Sequence, residues 1–169
     1  MEKGKIILLN GVSSSGKSTL SRELVAVLPH YFHFSIDDYD YIIEKMEDRQ
    51  EGKLIPIPTE YYFHRNIAMF SNSGVNLVVD HILHDQLTLK DWFEVLNGYP
   101  VFYVGVHCPV EELARRELAR GDRRIGQSKE QLLFVHQNDE VYDVEVNTFI
   151  EQRSDCVNKI IQKLNVKAF

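Results

Sequence analysis

The sequence predicts an α/β fold: a three-layer sandwich around a five-stranded parallel sheet. Short apolar runs alternate with stretches of helical periodicity along the whole chain, and the first such pair is joined by a glycine-rich turn. Composition agrees. With 169 residues, 44% hydrophobic and 26% charged, the chain fits one domain whose core needs no disulfide.

Each element has its own signal. Lys5-Ile6-Ile7-Leu8-Leu9-Asn10 reads as a buried strand, and residues 19–28, with Leu20, Leu24, Val27 and Leu28 at helical spacing, as the helix that follows. The aromatic-rich segment 31–36 is a second strand ending at Asp37-Asp38, with a short helix over 38–46 for which Asp38 serves as cap. Residues 47–58 carry charges, Gly52, Pro56 and Pro58, and read as a loop. A helix over Thr59–Asn72 would bury Tyr62, Ile67 and Phe70, and the turn signal Asn72-Ser73-Gly74 introduces a third strand over 76–80. Helix 87–96 and strand 101–106 follow, and Pro109 opens a helix over Val110–Arg120. After the break at 121–126, Ser128 would cap a helix over 128–138, with Gln131 completing a capping box. A strand at 144–148 and a helix at 151–164 finish the chain.

Gly11-Val12-Ser13-Ser14-Ser15-Gly16-Lys17-Ser18 fulfils the phosphate-binding pattern G-x-x-x-x-G-K-[ST], between a strand and a helix start. In that context the amides of such a loop curl around phosphates, and the helix start adds partial positive charge. The expected nucleotide contacts are Gly11, Ser13, Ser14, Ser15, Gly16, Lys17, Ser18 and Thr19, with Lys17 reaching the β/γ-phosphates and the Ser18 hydroxyl ligating Mg²⁺. The ligand class is a nucleoside triphosphate.

Other classes are disfavoured. A net charge of −6 argues against a general nucleic-acid binder. Cys108 and Cys156 stand far apart and suggest neither a disulfide framework nor a zinc site. Met1-Glu2-Lys3-Gly4-Lys5 leads straight into the first strand, without a signal peptide or membrane span, so the expected location is cytoplasmic. No N-K-x-D guanine signature occurs, and Asp80 is followed by His-Ile-Leu rather than by the glycine of a switch loop. A compact phosphotransferase remains.

Three constellations bear on its chemistry. Asp37, at the end of the second strand, would face the phosphate site and act as base toward an attacking hydroxyl. Asp80 ends the apolar run Leu77-Val78-Val79 and would hold Mg²⁺, through water. His81, His84 and Asp85 follow, but their spacing lacks the geometry of a transition-metal site. Arg115, Arg116, Arg120, Arg123 and Arg124 form an arginine run around Gly121. Arg115 reads as part of a solvated face paired with Glu112 and Glu117, whereas Arg120 and Arg123 read as lid residues that cover ATP and neutralise charge in transfer.

These residues carry a resemblance. Asn10 with the loop, Ser35-Ile36-Asp37, Val79-Asp80, Val104-Gly105-Val106-His107-Cys108, Glu117-Leu118-Ala119-Arg120-Gly121-Asp122-Arg123, Val135-His136 and Tyr142-Asp143-Val144-Glu145-Val146 resemble the chloramphenicol phosphotransferase-like family, nearly end to end. The resemblance implies a nucleoside-monophosphate-kinase-like fold, ATP and Mg²⁺, and γ-phosphate transfer to an alcohol. It places the catalytic base on Asp37 and the lid arginines on Arg120 and Arg123. It also implies a single P-loop kinase domain over 1–169, with an acceptor-binding segment at about 38–72 and a lid at about 116–128.

The chain departs from the family where Asn147 stands in place of an aspartate, where the stretch between His136 and Tyr142 is one residue longer than in the drug-modifying member, and through most of residues 39–67. The reaction and ATP site are therefore better supported than chloramphenicol as acceptor. Two alternatives stay open. A nucleoside or nucleoside-monophosphate kinase would draw on Lys45, Arg49, Lys53 and Arg65 to hold the acceptor's phosphate, and a non-catalytic nucleotide-binding module would need no base.

Overall fold

The computed structural model describes residues 2–121 and 124–169. The elements run β1 (Ile6–Asn10), α1 (Lys17–Val27), β2 (Tyr31–Ser35), α2 (Ile36–Met46), α3 (Thr59–Asn72), β3 (Asn76–His81), α4 (Gln86–Val95), β4 (Val101–His107), α5 (Val110–Arg120), α6 (Gln127–Gln131), β5 (Val144–Asn147) and α7 (Arg153–Val166). Five strands lie in the order β2-β3-β1-β4-β5, all parallel. The α/β sandwich expected from the alternating pattern is the fold observed.

Every residue of β1 is buried, because helices cover both faces of a parallel sheet. Ile7 and Leu9 turn toward Leu20 and Leu24 of α1 and Ile160 and Leu164 of α7. Ile6 and Leu8 turn to the other layer, against Phe63 and Ile67 of α3 and Trp92 of α4. Full burial of each such side chain contributes roughly 1.5–3 kcal/mol. In register, Leu9 pairs with Asp80, Asn10 with His81, and Ser35 with Asp80. The C-terminal ends of β1, β2 and β3 therefore come level at one edge, the edge at which open α/β sheets bind ligands.

Some local expectations need correcting. The helix after β2 begins at Ile36, so Asp37 sits in its first turn and not at the strand end. Ser35 holds the N-cap position without a side-chain bond, and Asp38 is not the cap; both acids instead lie where the helix dipole favours negative charge. Helix α3 has the expected bounds, but its buried residues are Phe63, His64, Ile67 and Ser71, with Tyr62 and Phe70 half-buried beside them.

The largest difference follows Gly126. Ser128 lies inside α6 and is buried, and no side-chain cap of its own forms. The Glu117 carboxylate takes that role, accepting the amides of Gly126 at 2.8 Å and Ser128 at 2.7 Å. An anionic acceptor at a helix start outcompetes a serine hydroxyl. After Gln131 the amides of Leu133, Phe134 and Gln137 bond three residues back, and His136 adopts a φ of 69°, so no continuous helix extends to residue 138. Among the described residues no helix is long and apolar enough to cross a membrane, and both cysteines are free.

Candidate active site

The glycine-rich loop leaves β1 against β4. A Cβ on Gly11 would lie 2.4 Å from the Val106 carbonyl oxygen, so glycine is required for that approach. Gly16, at φ 96°, turns the chain into α1. Thr148, just past β5, fastens the loop from outside. Its hydroxyl donates to the Ser15 carbonyl at 2.6 Å and accepts from the Arg116 guanidinium at 3.0 Å. Arg116 also donates to the Ser14 carbonyl at 3.3 Å. On the inner side, the Ser13 amide donates to Gln131 Oε1 at 2.7 Å. Lys17 is buried, and its Nζ donates to the Val12 carbonyl at 2.9 Å.

Two cavities meet at this loop. One, of about 430 Å³, is walled by Gly16, Thr19, Arg115, Arg116 and Thr148. The other, of about 320 Å³, is walled by Ser13, Asp37, Asp40, Glu60, Asp80, His81 and His84. Ser14, Lys17, Ser18 and Arg120 belong to both. Of the expected nucleotide contacts, Gly11 and Ser15 lie behind these walls: Gly11 is packed on β4, and Ser15 is fully buried. The Oγ atoms of Ser14 and Ser15 have no hydrogen-bond partner among the described residues.

The second cavity is electronegative. Its anions come from three elements: Asp37 and Asp40 on α2, Glu60 on α3 and Asp80 on β3. Desolvation raises the Asp40 carboxyl from its ordinary range; a hydrogen bond with Thr59 opposes this, and the charges of Glu60, Asp37 and Glu44 add to it. Asp80 is buried, and its Oδ2 has no hydrogen-bond partner among the described residues, with His33 Nε2 3.9 Å away. That oxygen, on the wall of the cavity that Ser18 also lines, suits a hard cation with oxygen ligands such as Mg²⁺.

The arginines separate by role. Arg115 and Arg116 both bind the Glu112 carboxylate, through contacts of 2.7 Å, and hold it down to about 2. Glu117, expected to balance an arginine, instead accepts two amides. Arg120 ends α5 and reaches both cavities. Arg123 lies outside the described residues. Arg124 is paired with Glu130.

The cations considered for a phosphate-bearing acceptor are placed elsewhere. Arg65 binds Asp91, Arg49 pairs with Glu44 and Glu47, Lys45 lies over the Tyr41 ring, and the Lys53 backbone bridges Asp48. His84 lies 3.3 Å from Asp85, whose carboxylate caps α4 by accepting the Thr88 amide at 2.7 Å. Among the described residues no group of three or more His, Cys, Asp or Glu is placed to hold a metal. Asn147 caps the turn after β5, accepting the amides of Phe149 and Ile150.

Sequence reading passed over Gln131 and Thr148 as parts of the loop, and Asp40 and Glu60 as parts of the second cavity. Gln131 carried a signal that pointed to a capping box, and Asp40 lies one helical turn after Asp37, on the same side of α2. Thr148 and Glu60 are brought in by contacts distant in sequence.

Fold and loop together are those of a P-loop kinase. The chain belongs to the chloramphenicol phosphotransferase-like family, whose model matches residues 4–165. A relative from Mycobacterium tuberculosis (strain ATCC 25618 / H37Rv), named "Putative O-phosphotransferase", is 30% identical over 88% of this chain and 76% of its own. A shikimate kinase of Clostridium botulinum (strain Loch Maree / Type A3) is 31% identical over 69% of this chain and 66% of its own. Among solved structures, a gluconokinase from Sinorhizobium meliloti 1021 superposes with a TM-score of 0.68 at 21% identity, covering 97% of this chain and 93% of that one. The family resemblance carried by the motifs is thereby established, as is the kinase fold.

Proposed function

We propose that the protein transfers the γ-phosphoryl group of ATP to a hydroxyl of a small-molecule alcohol. One observation carries the reading. Two cavities share Lys17, Ser18 and Arg120, and the cavity away from the arginine-rich wall contains Asp37 but, among the described residues, no cation beyond the shared Lys17 and Arg120.

ATP would enter the cavity beside Thr19, Arg115 and Arg116, its phosphates against residues 13–19. The acceptor would occupy the other cavity, with its hydroxyl near Asp37. As the acceptor oxygen bonds to the γ-phosphorus, the bond to the β,γ-bridging oxygen breaks, ADP leaves, and Asp37 takes the hydroxyl proton. Lys17 and Arg120, common to both cavities, would neutralise charge that shifts toward the bridging oxygen. Ser18 and Asp80 would hold Mg²⁺, which supplies further charge neutralisation on the phosphate oxygens. Arg123 is assigned to the same lid on the family pattern. An enzyme that consumes ATP in this way fits a cytoplasmic setting.

The nucleoside-monophosphate alternative loses its support, because a second phosphate would meet Asp37, Asp40 and Glu60 rather than Lys45, Arg49, Lys53 or Arg65. The test is acceptor-dependent ADP release with gluconate, shikimate, chloramphenicol, an aminoglycoside, nucleosides and nucleoside monophosphates. Turnover with a hydroxyl compound other than a nucleoside supports the reading. Turnover confined to nucleosides or nucleoside monophosphates contradicts it.

A further inference from the structure

A chain of polar groups, buried from Asp91 onward, runs from the exposed Arg65 on α3 to the acceptor cavity. Arg65 donates to both Asp91 oxygens, at 3.0 and 3.1 Å. Asp91 Oδ2 lies 2.7 Å from His64 Nδ1, and His64 Nε2 lies 2.9 Å from His81 Nε2. Both imidazoles are buried, boxed by Phe63 and Trp92. The other nitrogen of His81, Nδ1, has no hydrogen-bond partner among the described residues, and His81 forms part of the cavity wall that also holds Asp37.

The protons in this chain are set by its ends. Arg65 already balances the Asp91 charge, and His64 is pulled below its ordinary value, first by burial, with the Asp91 contact opposing. A neutral His64 must give its one N–H to the carboxylate, at Nδ1. Its Nε2 is then an acceptor, so the short contact to His81 requires His81 to donate from Nε2. His81 Nδ1 is left as a lone pair. Such a buried acceptor is costly unless something donates to it.

We propose that His81 Nδ1 accepts a hydrogen bond from the acceptor molecule, and that Arg65, Asp91 and His64 are positioning residues that lock His81 in the tautomer presenting this lone pair. The inference rests on the acceptor-cavity reading above. With Asp37, Asp40 and Glu60 on the same wall, that side of the cavity offers acceptors and calls for donors. It therefore favours a polyhydroxyl compound: one hydroxyl for Asp37 and phosphate transfer, another for His81. Neither imidazole exchanges a proton in the reaction.

The test begins with ¹⁵N-labelled protein and the two-bond ¹H–¹⁵N couplings of the histidine rings, which identify the tautomer, with His81 assigned by its loss in His81→Asn. The expected state is His81 protonated at Nε2 alone, turning into a mixture of tautomers in Asp91→Leu. Protonation at Nδ1 in the wild-type protein overturns the proposal. The same sample is then titrated with gluconate, shikimate and chloramphenicol without ATP. A shift of Nδ1 with a bound polyol is expected, and an unmoved Nδ1 with every compound that binds overturns it. Kinetics supply the third arm, on whichever of these compounds is phosphorylated. His81→Asn sets an oxygen near the Nδ1 position and keeps acceptor KM within about threefold. His81→Gln places its amide near Nε2 and raises acceptor KM about tenfold at unchanged ATP KM, the loss expected for one hydrogen bond. Equal effects of Asn and Gln overturn the proposal. If no hydroxyl compound is phosphorylated, the alcohol-kinase reading fails, while the tautomer and titration arms still decide the role of His81.

Discussion

Gln131 Oε1 accepts the Ser13 backbone amide at 2.7 Å, tying the front of the phosphate loop to the end of α6, 118 residues away. Gln131 and Ser13 also share a wall of the second cavity. The contact makes the segment after α5 part of the loop's support. Gln131→Leu should expose the Ser13 amide to faster hydrogen exchange and lower stability by about 0.5–1.5 kcal/mol in denaturant unfolding. An unchanged exchange rate would show that the loop holds its shape without Gln131.

Glu117 fixes the start of that segment. Its carboxylate is buried, lowered from its ordinary value against the opposing effect of burial by hydrogen bonds from Ser128 and Gly126. Glu117→Gln leaves an amide N–H facing a backbone N–H, and should cost about 1–3 kcal/mol in urea unfolding. A neutral outcome would mean that α6 is held by its packing alone.

Lys17 and Arg120 sit where the two cavities join. Lys17→Ala should abolish turnover in a protein whose circular dichroism is unchanged. Arg120→Ala should lower kcat more than ATP affinity, because its contact strengthens as charge moves to the leaving oxygen. Equal loss in binding and turnover would make Arg120 a binding group only.

Stability should depend on His136. The ring packs on His107 at 4.2 Å and is held down to about 4, first by burial and then by the His107 charge. Between that value and an ordinary histidine pKa of about 6.5, the unfolded chain takes up a proton that the folded chain resists. This contribution is present above about pH 6.5 and lost as pH falls toward 4. His136→Asn, which tolerates the positive φ, should flatten the melting temperature across that window relative to wild type. Parallel curves would remove His136 from the account.

How much of this was legible depended on where the partner lies. The strand, glycine-rich loop and helix from β1 to α1 announce themselves, because each signal is local. The helix Val110–Arg120 was located to its ends by Pro109 and Gly121. The Ser128 cap was misread because its competitor, Glu117, is 11 residues upstream. His81 stood out only as part of a spacing without metal-site geometry; its partner His64 is 17 residues away and Asp91 another 27 from that. Periodicity marks which face of α3 is buried, and has no way to say that a histidine on it meets another histidine. Asp37 was expected at a strand end and lies in the first turn of the following helix, still on the cavity wall with Lys17 and Ser18, because a strand end and that first turn occupy the same place when no loop separates them.

In the proposed reaction Asp37 takes the proton of an acceptor hydroxyl. Asp37→Asn keeps the side-chain shape and removes the basic oxygen, so acceptor-dependent turnover should fall about 10²–10⁴-fold with ATP affinity nearly unchanged. A largely dissociative transfer would put the loss at the lower end, since the base then acts late. Asp38→Asn, one position on and exposed, should keep close to wild-type turnover. The most direct measurement is acceptor-dependent ADP release by these two variants side by side, with ATP binding measured on each. A large loss confined to Asp37→Asn is the predicted result. A large loss in Asp38→Asn instead, or wild-type turnover in both, would contradict the account.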